Sequence, residues 1–106
     1  MTCGIYQIKN KITGEKYIGS SVKIEKRRKD HIRRLKKRIH ENKNLQAAYD
    51  QFGGKNLVFK ILKRCNGHML VYFEQKFIED LSPEYNILLF ANNSCIKKYA
   101  CYEEDN

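Results

Sequence analysis

The chain has 106 residues, 42% of them hydrophobic, enough for one modest core and too few for a second domain of ordinary size. Its 21 lysines and arginines outweigh 12 acidic residues, a formal net charge of +9 that points to polyanionic partners without naming a reaction. The longest apolar runs, such as Ile87 to Ala91, are far too short to cross a bilayer, and Met1-Thr2-Cys3 leads directly into patterned sequence rather than a signal peptide.

The expectation is therefore a soluble, cytoplasmic protein, in a cell or in a host cell, not secreted and with no membrane partner. Ten of the basic residues fall between Lys23 and Arg38, whereas the far end is acidic, Glu103-Glu104-Asp105. Nucleic acid is the commonest intracellular polyanion, and a solvated helix face is the plain alternative. The four cysteines, at 3, 65, 95 and 101, lack the two-residue spacing of metal sites and are expected to be plain thiols.

In chain order, Cys3 to Lys9 alternates like a strand, with Gly4, Tyr6 and Ile8 on one face. Thr13-Gly14 suits a hairpin turn, and Lys16 to Ser20 returns with Tyr17 and Gly19 sharing a face. Both tyrosines then meet on one side of the ribbon if the register allows. Ser20 or Ser21 is a candidate cap for a long helix reaching about Ile39, with Glu25 in its first turn. Ile24, Ile32, Leu35 and Ile39 form its apolar stripe, and Arg27 and His31, four apart, stand at the stripe's edge. A shorter helix, Leu45 to Phe52, stops at Gly53-Gly54. Leu57 to Arg64 is apolar enough to predict a central strand, and a third helix runs from His68 to Leu81 before Ser82-Pro83. This order predicts a small α/β or α+β layer fold, an antiparallel sheet of three or more strands covered by helices. Residues 1–90 form the expected domain and 91–106 a tail, acidic at its end.

The third helix carries the most informative residue. At about 100° per residue, Leu70, Val71, Phe73, Phe77, Ile78 and Leu81 fall on one side, with Glu74 near the middle of it. A carboxylate there needs a metal, a cation or several hydrogen bonds in compensation.

Gly4-Ile5-Tyr6 is followed, after ten residues, by Tyr17-Ile18-Gly19. Arg27, His31, Glu74 and Asn86 come after them in order. This pattern resembles the GIY-YIG nuclease superfamily, most closely the catalytic domains of phage-type homing endonucleases, over roughly residues 3 to 90. The resemblance implies a GIY-YIG fold, about three antiparallel strands flanked by helices. It also implies an endonuclease that hydrolyses DNA phosphodiester bonds with one divalent cation per site, Mg²⁺ or Mn²⁺. Carried over position by position, the catalytic residues are Tyr6, Tyr17, Arg27, His31, Glu74 and Asn86. Glu74 is the metal ligand, and Gly4 and Gly19 are structural parts of the motif.

The residue types suit that chemistry. Glu74 can hold one hard cation alongside water and phosphate oxygens, and Arg27 offers a fixed cationic fork. Tyr6 or Tyr17 would be the general base, or would orient the attacking water. A phenol with an ordinary pKa near about 10 needs Arg27, His31 or the metal to lower it. His31 would position a tyrosine or water, and Asn86 would organise the site. Arg28, Arg33, Arg34, Lys37 and Arg38 are candidate phosphate contacts. Homing enzymes carry a separate DNA-recognition region. Here the expectations are a truncated catalytic domain, a stand-alone nuclease, or a subunit of a repair or restriction complex guided by a partner. A silent DNA-binding module on the same fold is the remaining alternative.

Overall fold

A computed structural model describes residues 2–86. Strands β1 (Gly4–Asn10) and β2 (Lys16–Ser21) form a hairpin, followed by helices α1 (Ile24–Lys36) and α2 (Lys43–Phe52), strand β3 (Leu57–Arg64) and helix α3 (Leu70–Leu81). Short 3-10 turns at Gly54–Asn56 and Gly67–Met69 lead into β3 and α3. The three strands run β2-β1-β3 with both pairings antiparallel. The expected layer fold is present, but β3 is an edge strand of this sheet and not a central one. Its apolar run packs Leu57, Phe59 and Ile61 against one core cluster and Leu62 against the other, while Val58 is exposed; a sequence pattern reads such a run as a central position. The central strand is β1, buried at every position except Lys9.

Alternation along β1 divides the interior. Tyr6 and Ile8 join Ile24, Leu35, Leu45, Ala48 and Tyr85 beneath α1 and α2. Ile5 joins Ile18 and Ile78 beneath α3, with Leu62, Phe73 and Phe77 packed around them. Ile5 and Ile18 are essentially inaccessible, and full burial of such a side chain contributes about 1.5–3 kcal/mol. A bulge between Ile5 and Tyr6 pairs Ile5 with Lys63 and Tyr6 with Ile61, leaving Leu62 as the extra residue. The bulge turns Lys63 toward α3, where its Nζ lies 4.7 Å from the Phe73 ring centroid. Gly4 permits this close approach, since a Cβ there would stand 2.0 Å from the Lys63 carbonyl oxygen.

The hairpin turn is organised by Asn10, whose Oδ1 accepts from the Ile12 amide at 2.9 Å, while Gly14 takes φ +81°. Gly4 pairs with Ser21, Tyr6 with Gly19 and Ile8 with Tyr17. Tyr6, Tyr17 and Gly19 therefore share the α1 face, as expected.

Helix α1 departs from expectation at both ends. Neither serine caps it: the Ser20 hydroxyl donates to Glu74, and Ser21 Oγ accepts from the Lys23 amide at 3.0 Å, one residue before the helix. At the other end Arg38 adopts φ +61°, and the Ile39 amide returns to the Arg34 carbonyl at 3.0 Å. This left-handed turn closes the helix as a glycine would, at a cost of about 1–2 kcal/mol for a side-chain-bearing residue. Ile32 and Ile39, expected in the apolar stripe, are exposed; the buried residues are Ile24, His31 and Leu35. His31 thus lies inside the stripe, not at its edge. On α3 Val71 is likewise exposed, because Ile78, Phe73 and Phe77 define the inner face. Helix α2 begins two residues earlier than expected, where Asn42 Oδ1 accepts from the Leu45 amide at 3.0 Å.

Among the described residues no helix is long and apolar enough to cross a membrane. Cys3 and Cys65 are free thiols at the paired ends of β1 and β3. Ile87 to Ala91, Cys95, Cys101 and the acidic residues 103–105 lie outside the described residues.

Candidate active site

The site is built where edge strand β2 passes between α1 and α3. Register places Tyr6 and Tyr17 side by side, ring centroids 6.4 Å apart. The Tyr6 ring also lies parallel to Phe59 at 4.9 Å. Gly19 makes room for it: a Cβ at that position would meet Tyr6 Oη at 2.5 Å. From α1, His31 Nε2 lies 2.6 Å from Tyr6 Oη, and its ring meets Tyr17 edge-on at 5.6 Å. Arg27, one turn earlier, is close enough to both phenols to oppose the effect of burial on them.

Electrostatics leave these groups in defined protonation states. Burial pushes the Tyr6 phenol well above its ordinary pKa, with Tyr17 adding to the rise and Arg27 opposing it. Burial raises Tyr17 as well, against Arg27 and with help from Glu74. Burial works against the Arg27 charge, but its contacts with Tyr6 outweigh this and raise its pKa. Burial, then Arg27, pushes His31 down to about 3. His31 is consequently neutral at physiological pH and cannot be the positive charge that activates a tyrosine, one of the roles expected of it. That leaves Arg27 as the cation of this cluster.

Glu74 approaches from the other side of β2. Ser20 lies opposite Ile5, on the α3 face, and its hydroxyl donates to Glu74 Oε1 at 2.5 Å. Burial raises the Glu74 pKa and the Ser20 hydrogen bond lowers it. Asp30 binds Arg27 Nη1 at 3.2 Å and also pairs with Arg33 and Arg34, so the carboxylates near the site have separate partners. Among the described residues no group of three or more His, Cys, Asp or Glu could hold a metal ion. The carboxylate available to a hard cation at this site is the half-buried Glu74 alone, which would need substrate and water oxygens to complete a shell.

Asn86 stands apart from the cluster of phenols. Its carboxamide spans Ile18 on the edge of β2, Oδ1 accepting from the amide at 2.8 Å and Nδ2 donating to the carbonyl at 3.0 Å. It pins the strand that carries Tyr17 and Gly19, an organising task. Of the candidate phosphate contacts, Arg28, Arg33, Lys37 and Arg38 are exposed. Arg28 lies 5.6 Å over the Phe59 ring, Arg34 pairs with Asp30 and Glu41, and Arg38 is 3.8 Å from Asp50. Sequence reasoning missed Ser20 as a Glu74 partner, because it was assigned to a helix cap. It also missed His40, buried against His31 with its Nε2 2.7 Å from His31 Nδ1.

Comparison with known proteins agrees with this arrangement. Residues 2–86 match the GIY-YIG catalytic domain family. Intron-associated endonuclease 1 of Enterobacteria phage T4 is 30% identical over 98 residues, covering 92% of this chain and 33% of that protein. The chain thus spans about a third of the length of that curated relative. Two solved structures of the catalytic domain of intron endonuclease I-TevI, one a point mutant, are each 31% identical. They superpose with TM-scores of 0.77 and 0.75, covering 83% and 81% of this chain and 95% and 98% of theirs. With the two half-motifs paired on one hairpin and the site residues gathered around it, this chain belongs to the GIY-YIG family and has the fold of the I-TevI catalytic domain.

Proposed function

We propose that this domain is a divalent-metal-dependent endonuclease that hydrolyses DNA phosphodiester bonds. The observation that carries the reading is the cluster of Tyr6, Tyr17 and Arg27 on one face of β2 with the half-buried Glu74 carboxylate at the other. Phosphodiester hydrolysis needs a proton acceptor for water, positive charge at the phosphate, and stabilisation of the leaving oxygen. Arg27 supplies a planar fork that can grip two phosphate oxygens. Tyr6 or Tyr17, after losing its own proton to solvent, takes the proton of the attacking water as a phenolate and returns to the phenol, with Arg27 offsetting the phenolate charge. Glu74 is the residue that would hold Mg²⁺ or Mn²⁺, and the ion would neutralise charge on the phosphate and the departing oxygen. One carboxylate supports one ion per site.

The basic face of α1 adds attraction for the DNA backbone without reading bases. Since the chain corresponds to a third of its T4 relative, sequence selection would come from a separate recognition segment or a partner protein. A purely DNA-binding role is disfavoured because every catalytic group of the motif is present. The decisive experiment incubates the protein with supercoiled plasmid and Mg²⁺, with and without chelator. Loss of the supercoiled form only with free metal is expected. Binding without cleavage under all metal conditions would overturn the reading.

A further inference from the structure

The chain has three histidines, and the two buried ones touch each other: His31 Nδ1 lies 2.7 Å from His40 Nε2. Their rings are within 15° of parallel with centroids 4.9 Å apart. At that N···N separation the rings meet edge to edge, so an N–H on one points along the lone pair of the other. One end of this chain of contacts is fixed by the backbone. The Asn42 amide donates to His40 Nδ1 at 3.0 Å. A backbone amide can only donate, so Nδ1 of His40 must present a lone pair. Neutral His40 then carries its proton on Nε2 and gives it to His31 Nδ1. Neutral His31 in turn carries its proton on Nε2, the nitrogen 2.6 Å from Tyr6 Oη.

We propose that His40 is a positioning residue of the active site, which locks His31 as the Nε2–H tautomer so that His31 donates to the Tyr6 oxygen rather than accepting its proton. Every hydrogen bond in the series, from Asn42 N–H to Tyr6, then points the same way. The Tyr6 hydroxyl proton is turned away from His31 and toward Tyr17, because the Arg27 guanidinium can only donate to the Tyr6 oxygen. Once Tyr6 has lost its own proton to solvent, the phenolate oxygen meets a His31 N–H already in place, with no change of tautomer on His31.

The loop that presents His40 is held from several directions. Gln46 Oε1 accepts from the His40 amide at 3.1 Å, while Gln46 Nε2 donates to the Leu35 carbonyl at 3.0 Å. Asn42 Nδ2 donates to the Tyr85 carbonyl at 2.8 Å. His40 is 7% exposed and burial lowers its pKa. Among the described residues, Glu41 and Asp30 are the acidic groups that act on His40; Glu41 lies 3.8 Å from Nδ1, beyond hydrogen-bond reach of a position the Asn42 amide already fills.

Long-range ¹H–¹⁵N correlation on the labelled wild-type protein at pH 7 tests the tautomers directly, with exposed His68 as internal reference. Both buried histidines should read as neutral Nε2–H forms. A Nδ1–H form or a doubly protonated ring at His31 or His40 overturns the proposal. This arm is independent of the nuclease reading; the second arm rests on it. His40→Leu should release His31 from the Nε2–H form and slow plasmid cleavage by about tenfold or more, in the range usual for partners that orient a functional histidine. The KM for DNA should stay within about twofold of wild type, since the change lies away from the phosphate contacts. His40→Gln, whose amide N–H₂ can still donate to His31 Nδ1, should recover part of the rate and of the tautomer. Wild-type cleavage by His40→Leu, or His40→Gln no better than His40→Leu, would show that His40 has no positioning role.

Discussion

Gly19 lies directly against Tyr6: a Cβ on Gly19 would stand 2.5 Å from the phenol oxygen and 2.6 Å from Cζ. The ring cannot retreat, because Phe59 stacks on it at 4.9 Å and His31 holds its oxygen. Gly19→Ala should therefore shift the Tyr6 hydroxyl, destabilise the fold by about 1–3 kcal/mol and reduce plasmid cleavage by at least about tenfold. Gly14→Ala is the matched control. Its Cβ would meet nothing, and only its φ of +81° is strained, so it should lose about 1 kcal/mol in urea unfolding and keep its cleavage rate. Equal activity in both variants would remove Gly19 from the site's design.

Acid should act on the two buried histidines before it acts on the carboxylates. Burial and Arg27 push His31 down to about 3, and burial lowers His40. Each folded-state value lies below the unfolded one, so the unfolded chain binds more protons as pH falls. Stability should drop below about pH 6.5, by up to about 1.4 kcal/mol per histidine per pH unit. Urea unfolding at pH 7, 6 and 5 measures this slope. A flat profile would mean that folding depresses the pKa of neither ring.

Alkaline conditions should raise the cleavage rate. Burial holds both phenols above their ordinary pKa, so the phenolate fraction is small at neutral pH. If a tyrosinate takes the proton of water, the rate should climb between pH 7 and 9 with a slope near about one per pH unit. Stability linked to these phenols is complete below about pH 10 and is lost only as pH rises through their higher folded values. A rate plateau near neutrality would assign the base role to another group.

Much of this was legible in the chain. Tyr6 and Tyr17 could be placed on one face because strand alternation has a fixed period and the hairpin turn is marked by Gly14. Glu74 was identifiable because a carboxylate in an apolar helical stripe needs a reason. His40 was not legible. The helix was expected to reach Ile39, and what ends it early is a left-handed Arg38, a conformation no glycine announces. Only that turn returns the chain so that His40 meets His31. The same is true of Ser20, whose side chain had two satisfactory uses, a helix cap or a carboxylate partner. Local sequence favours the first, and tertiary contact with α3 selects the second.

Arg27→Ala should reduce cleavage by on the order of a hundredfold or more while altering DNA affinity little. It is one cation among many, yet it is the one beside both phenols. Replacing Arg33, Arg34, Lys37 and Arg38 with Gln should do the opposite: weaken binding and flatten its salt dependence. Arg33 and Arg34 already share Asp30, and Arg38 faces Asp50, so the flattening should be smaller than four full phosphate contacts would give. Filter binding across a salt series, with single-turnover cleavage beside it, separates the two effects. Parallel losses of binding and cleavage in Arg27→Ala would reduce that residue to a tether.

The last prediction sets stability against activity at Glu74. Its carboxylate is half-buried, burial raises its pKa, and Ser20 provides its hydrogen bond. A folded pKa above the unfolded one means that ionised Glu74 destabilises the metal-free fold at neutral pH, a penalty relieved as pH falls toward the unfolded value. Glu74→Gln should therefore leave apo stability unchanged or slightly higher while abolishing cleavage, since an amide is cheaper to bury than a carboxylate and can still accept from Ser20. Had Glu74 been half of a buried ion pair, the same change would cost about 3–5 kcal/mol; the arginines of α1 pair with Asp30 instead, in partly exposed contacts. Mg²⁺ should stabilise the wild type by linkage, about 2.7 kcal/mol at a hundred times Kd, and should leave Glu74→Gln unmoved. Ser20→Ala should keep a response to Mg²⁺, because the carboxylate remains, but with its orientation loosened the response should need more metal. Thermal melts of the three proteins across a Mg²⁺ titration decide the matter. A Glu74→Gln protein that melts early and still cuts DNA would refute the metal-site assignment.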